Sequence, residues 1–223
     1  MNKAAIVTGG FGVLGRAVVD ELLAQGYAVA AVDLAPAPSE SPATMAVGGV
    51  DLTDPAAVDA AYAAIKAKLG AVTALVNVAG GFVWQLVEGG DLANWDAMYR
   101  INLRTAVVSS HAALKVLGAG AAIVNIGAAG AVNPAAGMAP YAASKAGVRA
   151  LTESLAEELR GSKIRVNAVL PTIIDTPTNR RDMPDADPAA WITPQAAAKV
   201  IAFLLSSAAS PITGASIPLS LGQ

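Results

Sequence analysis

The chain has 223 residues, enough for one α/β domain with a sizeable core. Lys and Arg number 15 against 17 Asp and Glu, a formal net charge of -2 with no basic cluster, which speaks against a nucleic-acid binder. Cysteine is absent, so disulfides and thiolate metal sites are excluded.

Hydrophobic residues make up 54% and charged residues 14%. Much of the surplus is alanine, which suits close helix packing rather than a membrane. The uncharged stretch 116–144 is long enough to mimic a membrane span. Asn125, Asn133, Pro134 and repeated glycines make it a buried strand followed by a loop instead. The first residues turn glycine-rich too quickly for a signal peptide, and the expected location is the cytoplasm.

In chain order, residues 3–8 read as a strand, 9–12 as a turn and 13–25 as a helix. A second strand over 27–32 ends at Asp33, and a Pro/Ser-rich loop leads to a third over 44–50. Asp54 followed by Pro55 starts a helix that runs to 69. A strand over 74–78, a helix over most of 92–117 and an apolar strand over 121–126 follow. Then come a helix over 141–160, a strand over 164–170, an irregular stretch over 171–191, a helix over 194–207 and a last strand over 215–219. Continuous apolar strands alternating with helices predict an α/β fold: a Rossmann-like, doubly wound parallel sheet. It forms a single domain over 1–223 with a substrate loop at about 171–193.

The first strand–turn–helix carries Gly9, Gly12 and Gly15, with Val13 and Leu14 between them. Glycines there let the backbone approach a pyrophosphate at a helix N-terminus. Asp33 ends the second strand, where a carboxylate accepts hydrogen bonds from both hydroxyls of a ribose. A 2′-phosphate would meet like charge there, so NAD(H) is expected over NADP(H). Asp51 and Leu52 end the third strand and are expected at the adenine edge. Asn77, Ala79 and Gly80 end the fourth and are expected against the adenosine ribose.

Tyr141 and Lys145 are four residues apart and share one helix face. A nearby ammonium favours phenolate over phenol, so the tyrosine is expected to titrate below its usual value. Ser144 points off that face. His111, the single histidine, reads as a packing residue, Arg180-Arg181-Asp182 as a solvated loop, and no cluster has metal-ligand spacing.

Taken together and in this order, the glycine turn, Asp33, Asp51, Asn77-Val78-Ala79-Gly80, Asn102, the Tyr141/Lys145 pair, Pro171 to Thr176 and Thr213-Gly214 resemble the short-chain dehydrogenase/reductase family. The resemblance implies that Tyr141 is the proton donor or acceptor. Lys145 would lower its pKa and hold the nicotinamide ribose, and Asn102 would hold a water linking Lys145 to solvent. Pro171, Ile174 and Thr176 would lie at the nicotinamide. It also implies a small-molecule substrate and a homodimer or homotetramer through the helices over 92–117 and 141–160.

Two departures stand out. Val13 replaces the family's middle glycine, and Ala128 stands where the family has a serine that hydrogen-bonds the substrate oxygen. Losing such a donor costs roughly a hundredfold to a thousandfold in rate. One branch, the quinonoid dihydropteridine reductases, also has alanine there. It is similar in its Gly-Gly-x-Gly-x-Leu-Gly turn, in Val-Ala-Gly-Gly followed by aromatics (Phe82, Trp84), and in Leu170-Pro171 through Trp191. That branch implies a quinonoid dihydropterin or another flat conjugated acceptor, with Phe82, Trp84 and Ala128 at the substrate. The alternatives are a conventional carbonyl or alcohol dehydrogenase without the serine, and a non-catalytic nucleotide-binding regulator.

Overall fold

The computed structural model describes residues 3–221. Among them, seven strands form one sheet: β1 (Ala4–Thr8), β2 (Ala28–Val32), β3 (Met45–Val47), β4 (Val72–Asn77), β5 (Leu117–Ile126), β6 (Arg165–Pro171) and β7 (Ser216–Leu219). Their order is β3-β2-β1-β4-β5-β6-β7, and all neighbours are parallel. The connections are α1 (Val13–Ala24), α2 (Pro55–Leu69), α3 (Ala93–Met98), α4 (Thr105–Ala113), α5 (Ala139–Glu158), α6 (Pro177–Asp182) and α7 (Pro194–Leu205). The single-domain, doubly wound architecture matches the expectation.

Successive strand residues feed opposite faces. Val7, Val76 and Val124 pack with α1 and α7 through Val18, Leu22, Ile201 and Leu204. Their neighbours Ile6, Leu75 and Ile123 pack on the other side with Val58, Tyr62 and Ile65 of α2 and Leu155 of α5. Each such side chain taken fully from water contributes about 1.5–3 kcal/mol, which is why apolar runs without alternation become central parallel strands.

Strand order reverses between β1 and β4, opening a crevice beyond the carboxyl ends of the strands. Several ends are capped as their residues dictate. Asp54 accepts from the Ala56 N–H at 2.9 Å at the start of α2. Thr176 accepts from the Asn179 N–H at 3.1 Å at the start of α6.

Three elements differ from the sequence reading. The helix expected over 92–117 ends at Ala113, and Tyr99–Arg104 within it is π-helical. β5 starts four residues before the expected 121, with a register shift against β4. The stretch 171–191 contains α6 and a turn of 3-10 helix at Pro188–Ala190. Thr176 and Pro177, a cap followed by proline at the first helical position, are the local signal for α6. The stretch is pinned by an Ile174–Ile192 bridge and by the buried Trp191. Among the described residues no helix is long and apolar enough to cross a membrane.

Candidate active site

A cleft of about 1600 Å³ lies along the carboxyl ends of the strands at the order reversal. One end is built from the β1–α1 turn. Gly9 has φ +60°, and a Cβ on it would sit 2.9 Å from the Ala79 nitrogen. A Cβ on Gly15 would strike the Gly9 carbonyl, so this glycine lets α1 close onto the turn. Gly10, absent from the sequence reading of the site, is as constrained: its Cβ would lie 2.7 Å from that of Ala31. Gly12 is different. It precedes α1, and a Cβ there would meet only the Gly9 carbonyl, at an ordinary 3.4 Å. Its missing side chain leaves room on the cleft side, at a helix N-terminus, which suits a phosphate group. Val13 and Leu14 also line the cleft.

Asp33 is bonded to this turn: Oδ2 accepts from the Phe11 N–H at 3.0 Å and Oδ1 from the Ala35 N–H at 3.1 Å. Each carboxylate oxygen keeps a lone pair for a further donor, so the group can still receive ribose hydroxyls. Asp51 and Leu52 line the same end. The Thr53 N–H and hydroxyl both donate to Asp51 Oδ1 at 2.8 Å, and with Arg100 and Arg104 nearby they hold its carboxyl below the usual range.

Asn77 corrects the sequence reading. Ala79 and Gly80 line the cleft but Asn77 does not. Strand alternation puts it on the Leu75 face, against α4. There it donates to Asn125 Oδ1 at 2.8 Å and Ser110 Oγ at 3.1 Å, and accepts from Ser109 Oγ at 2.6 Å. It ties β4 to β5 and α4 rather than meeting a ribose.

Asn102 is also fully buried and off the cleft surface. The π-helical segment turns its amide toward the β4 loop. Oδ1 accepts from the Gly81 N–H at 2.9 Å, and Nδ2 donates to the Gly81 carbonyl at 3.0 Å and Ser144 Oγ at 3.1 Å. Both polar atoms of the side chain are thus used on protein. Ser144, which the sequence reading set aside as pointing off the Tyr141/Lys145 face, is the partner that joins Asn102 to α5, and it donates to the Tyr141 carbonyl at 2.7 Å. Its place three residues after Tyr141 on α5 was the available signal.

Tyr141 and Lys145 rise from the first turns of α5 and line the cleft. Lys145 Nζ donates to the Ile126 carbonyl at 2.7 Å, and burial pushes its ammonium down to about 8. Burial pushes the Tyr141 phenol up to about 12. The expected lowering of the tyrosine is therefore reversed: loss of water around the phenolate outweighs any attraction to the ammonium. The phenol ring meets Phe82 edge-on, with centroids 4.9 Å apart and planes at 80°. Trp84 Nε1 donates to the Ala136 carbonyl at 3.1 Å, and the indole packs on Gly137 where a Cβ would otherwise be. Ala128 is buried to 4% exposure and lines the cleft, as do Pro171, Ile174 and Thr176. Met138 and Met183 also line this end. Arg180 does not: it is bidentate on Asp175, at 2.6 and 2.7 Å. Among the described residues no group of three or more His, Asp or Glu is placed to hold a metal ion.

A glycine turn, an acidic second-strand end and a Tyr/Lys pair thus share one cleft, and the sequence model of the short chain dehydrogenases matches residues 3–187. The chain belongs to the short-chain dehydrogenase family. It is thereby one of the oxidoreductases. D-threitol dehydrogenase from Mycolicibacterium smegmatis is 31% identical over 99% of this chain and 92% of its own. A relative named inactive 2-(S)-hydroxypropyl-CoM dehydrogenase 2, from Xanthobacter autotrophicus, is 35% identical over 74% of this chain and 79% of its own. Among solved structures, a short chain dehydrogenase from Burkholderia cenocepacia in complex with NADP has a TM-score of 0.87 and 32% identity, covering 98% of this chain and 96% of that one. Carveol dehydrogenase from Mycobacterium avium in complex with NAD has a TM-score of 0.86 and 25% identity, covering 97% and 95%.

Proposed function

We propose that the protein is a nicotinamide-dependent oxidoreductase that prefers NAD(H) and uses Tyr141 as its proton donor. The observation that carries this is the meeting of Tyr141, Lys145, Asp33 and the glycine turn in one cleft. Both NAD and NADP occur in solved structures of relatives, so the preference rests on Asp33 alone.

A nicotinamide bound in the cleft would supply the hydride. Gly9, Gly12 and Gly15 with Val13 and Leu14 make room for the phosphates, and Asp33 receives the adenosine ribose hydroxyls. Asp51 and Leu52 face the adenine, with Ala79 and Gly80 beside the ribose. Pro171, Ile174 and Thr176 hold the carboxamide end, and Lys145 holds the second ribose. Tyr141, protonated at neutral pH, gives its Oη proton to the acceptor, and Lys145 meets the negative charge left behind. Asn102 clamps the β4 loop to α5 and so keeps the pair in register.

For the substrate, the reading is a flat conjugated acceptor of the quinonoid dihydropterin type. Ala128 offers no hydroxyl to an alkoxide, and Phe82 and Trp84 offer aromatic faces. A second reading, a conventional alcohol or carbonyl dehydrogenase, is favoured by relatives such as D-threitol dehydrogenase. The inactive relative keeps a third reading, a non-catalytic binder, in view, and the intact Tyr141/Lys145 pair argues against it. The exposed apolar residues Tyr99, Val107 and Leu114 suit pairing with a second copy.

Rapid-mixing oxidation of NADH against a quinonoid dihydropterin, a quinone and simple ketones separates these readings. Faster turnover of the flat acceptors is expected. Faster turnover of ketones selects the second reading, and binding without turnover of any acceptor selects the third.

A further inference from the structure

Arg100 has no part in the chemistry above. It stands in the π-helical segment, on the stripe Ala93, Asp96, Ala97 and Arg100 that lines the cleft. Its Nη2 donates to Thr53 Oγ1 at 3.2 Å. The Thr53 hydroxyl donates in turn to Asp51 Oδ1 at 2.8 Å. A carboxylate, a hydroxyl and a guanidinium are thereby joined across the cleft, from the β3 side to the helix side. Asp33 is next to them, since the Val50 N–H donates to its carbonyl at 3.0 Å. Leu34 and Leu52 give the same end its apolar surface.

A guanidinium is planar, weakly hydrated and well suited to lie on an aromatic face, and an ammonium is much less so. Here it is held through Nη2 on Thr53, in an exposed residue that lines the cleft. We propose that Arg100 is an adenine-binding residue: its guanidinium covers the purine of the dinucleotide, and Asp51 with Thr53 holds it there. The proposal rests on the dinucleotide reading above and adds to it a contact from the helix side of the cleft. Arg100 is remote in sequence from every residue of the glycine turn and the strand ends, and adjacent positions on those strands carry no arginine.

The test is equilibrium binding of three probes to the full chain, followed by protein and cofactor fluorescence or calorimetry. NADH and ADP-ribose carry the adenine; reduced nicotinamide mononucleotide does not. Arg100→Ala should raise the dissociation constants of NADH and ADP-ribose by the same factor, about three- to tenfold. It should leave the mononucleotide unchanged. Arg100→Lys should bind both adenine ligands more weakly than wild type, because charge alone does not replace the plane. Thr53→Val, which keeps the arginine but frees it, should give a smaller change in the same direction. Equal weakening of all three probes, or no change for ADP-ribose, overturns the role of Arg100 and leaves the dinucleotide reading standing. A wild-type protein that binds neither NADH nor ADP-ribose overturns both. Thermal melting of each variant identifies one that fails to fold, and Thr53→Val then decides.

Discussion

Lys145 Nζ donates to the carbonyl oxygen of Ile126, the last residue of β5, at 2.7 Å. This bond holds a buried ammonium at the foot of the cleft, where burial brings it from 10.5 down to about 8. The folded chain therefore releases this proton earlier than the unfolded chain does. Between pH 8 and 10.5 the unfolded state binds more protons, so the Lys145 contribution to stability rises with pH through that window. Below it, the charge is a standing cost. Lys145→Met should stabilise the fold at pH 7 by up to about 3 kcal/mol, with the gain shrinking towards pH 10.5. Urea unfolding at pH 7, 9 and 10.5 checks this, and a variant less stable than wild type at pH 7 would contradict it.

Tyr141 bears on the direction of turnover. A phenol pushed up to about 12 is fully protonated at neutral pH and ready to donate. Oxidation of an alcohol needs the phenolate, so its rate should climb with pH across the neutral range, while reduction should stay flat below about 8 and fall above it as Lys145 loses the charge that meets the phenolate. Tyr141→Phe should lower both by at least about a hundredfold. The pH profiles of kcat/KM in each direction provide the measurement.

Gly80 owes its identity to close approach. A Cβ on it would lie 2.7 Å from Asn102 Oδ1 and 3.2 Å from Lys145 Nζ. Gly80→Ala should displace one of these groups, lowering kcat more than tenfold and destabilising the fold by about 1–3 kcal/mol, as overpacking does. Steady-state kinetics and thermal unfolding together read both effects.

Ala128 separates the two substrate readings. A serine there would place a hydroxyl on the wall next to Tyr141. If ketones are the substrates, Ala128→Ser should raise their reduction by up to about a hundredfold. With a flat conjugated acceptor, little change is expected. The ratio of the two activities in one preparation is the quantity to measure.

Asp33 should set the cofactor. Asp33→Ala removes the acceptor of ribose hydroxyls together with a like charge facing a 2′-phosphate. The preference for NADH over NADPH should fall at least tenfold, and a wild type that already favours NADPH would refute this reading. Competition binding gives the ratio directly.

Much of this site is encoded locally. Glycines at 9, 12 and 15, an acid at the end of the second strand and the four-residue spacing of Tyr141 and Lys145 are short-range patterns. Each needs only its own strand or helix to have meaning. Asn77 misled for the opposite reason: a strand-end asparagine serves a ligand or the interior equally well, and only packing against α4 selects the interior. Likewise, the helix around Asn102 has no sequence mark for the π-helical segment that turns its amide to Gly81 and Ser144.

The order of strands and helices, the parallel sheet and the residue types at the cleft were determined by the sequence itself, because apolar periodicity and turn chemistry act over a few residues. Tertiary structure alone decided the rest. It set the direction in which Tyr141 and Lys145 titrate, since burial depends on what packs around them from distant segments. It brought Arg100 within reach of Thr53 across 47 positions of chain. Desolvation and through-space contact are properties of the assembled interior, and no local pattern encodes them.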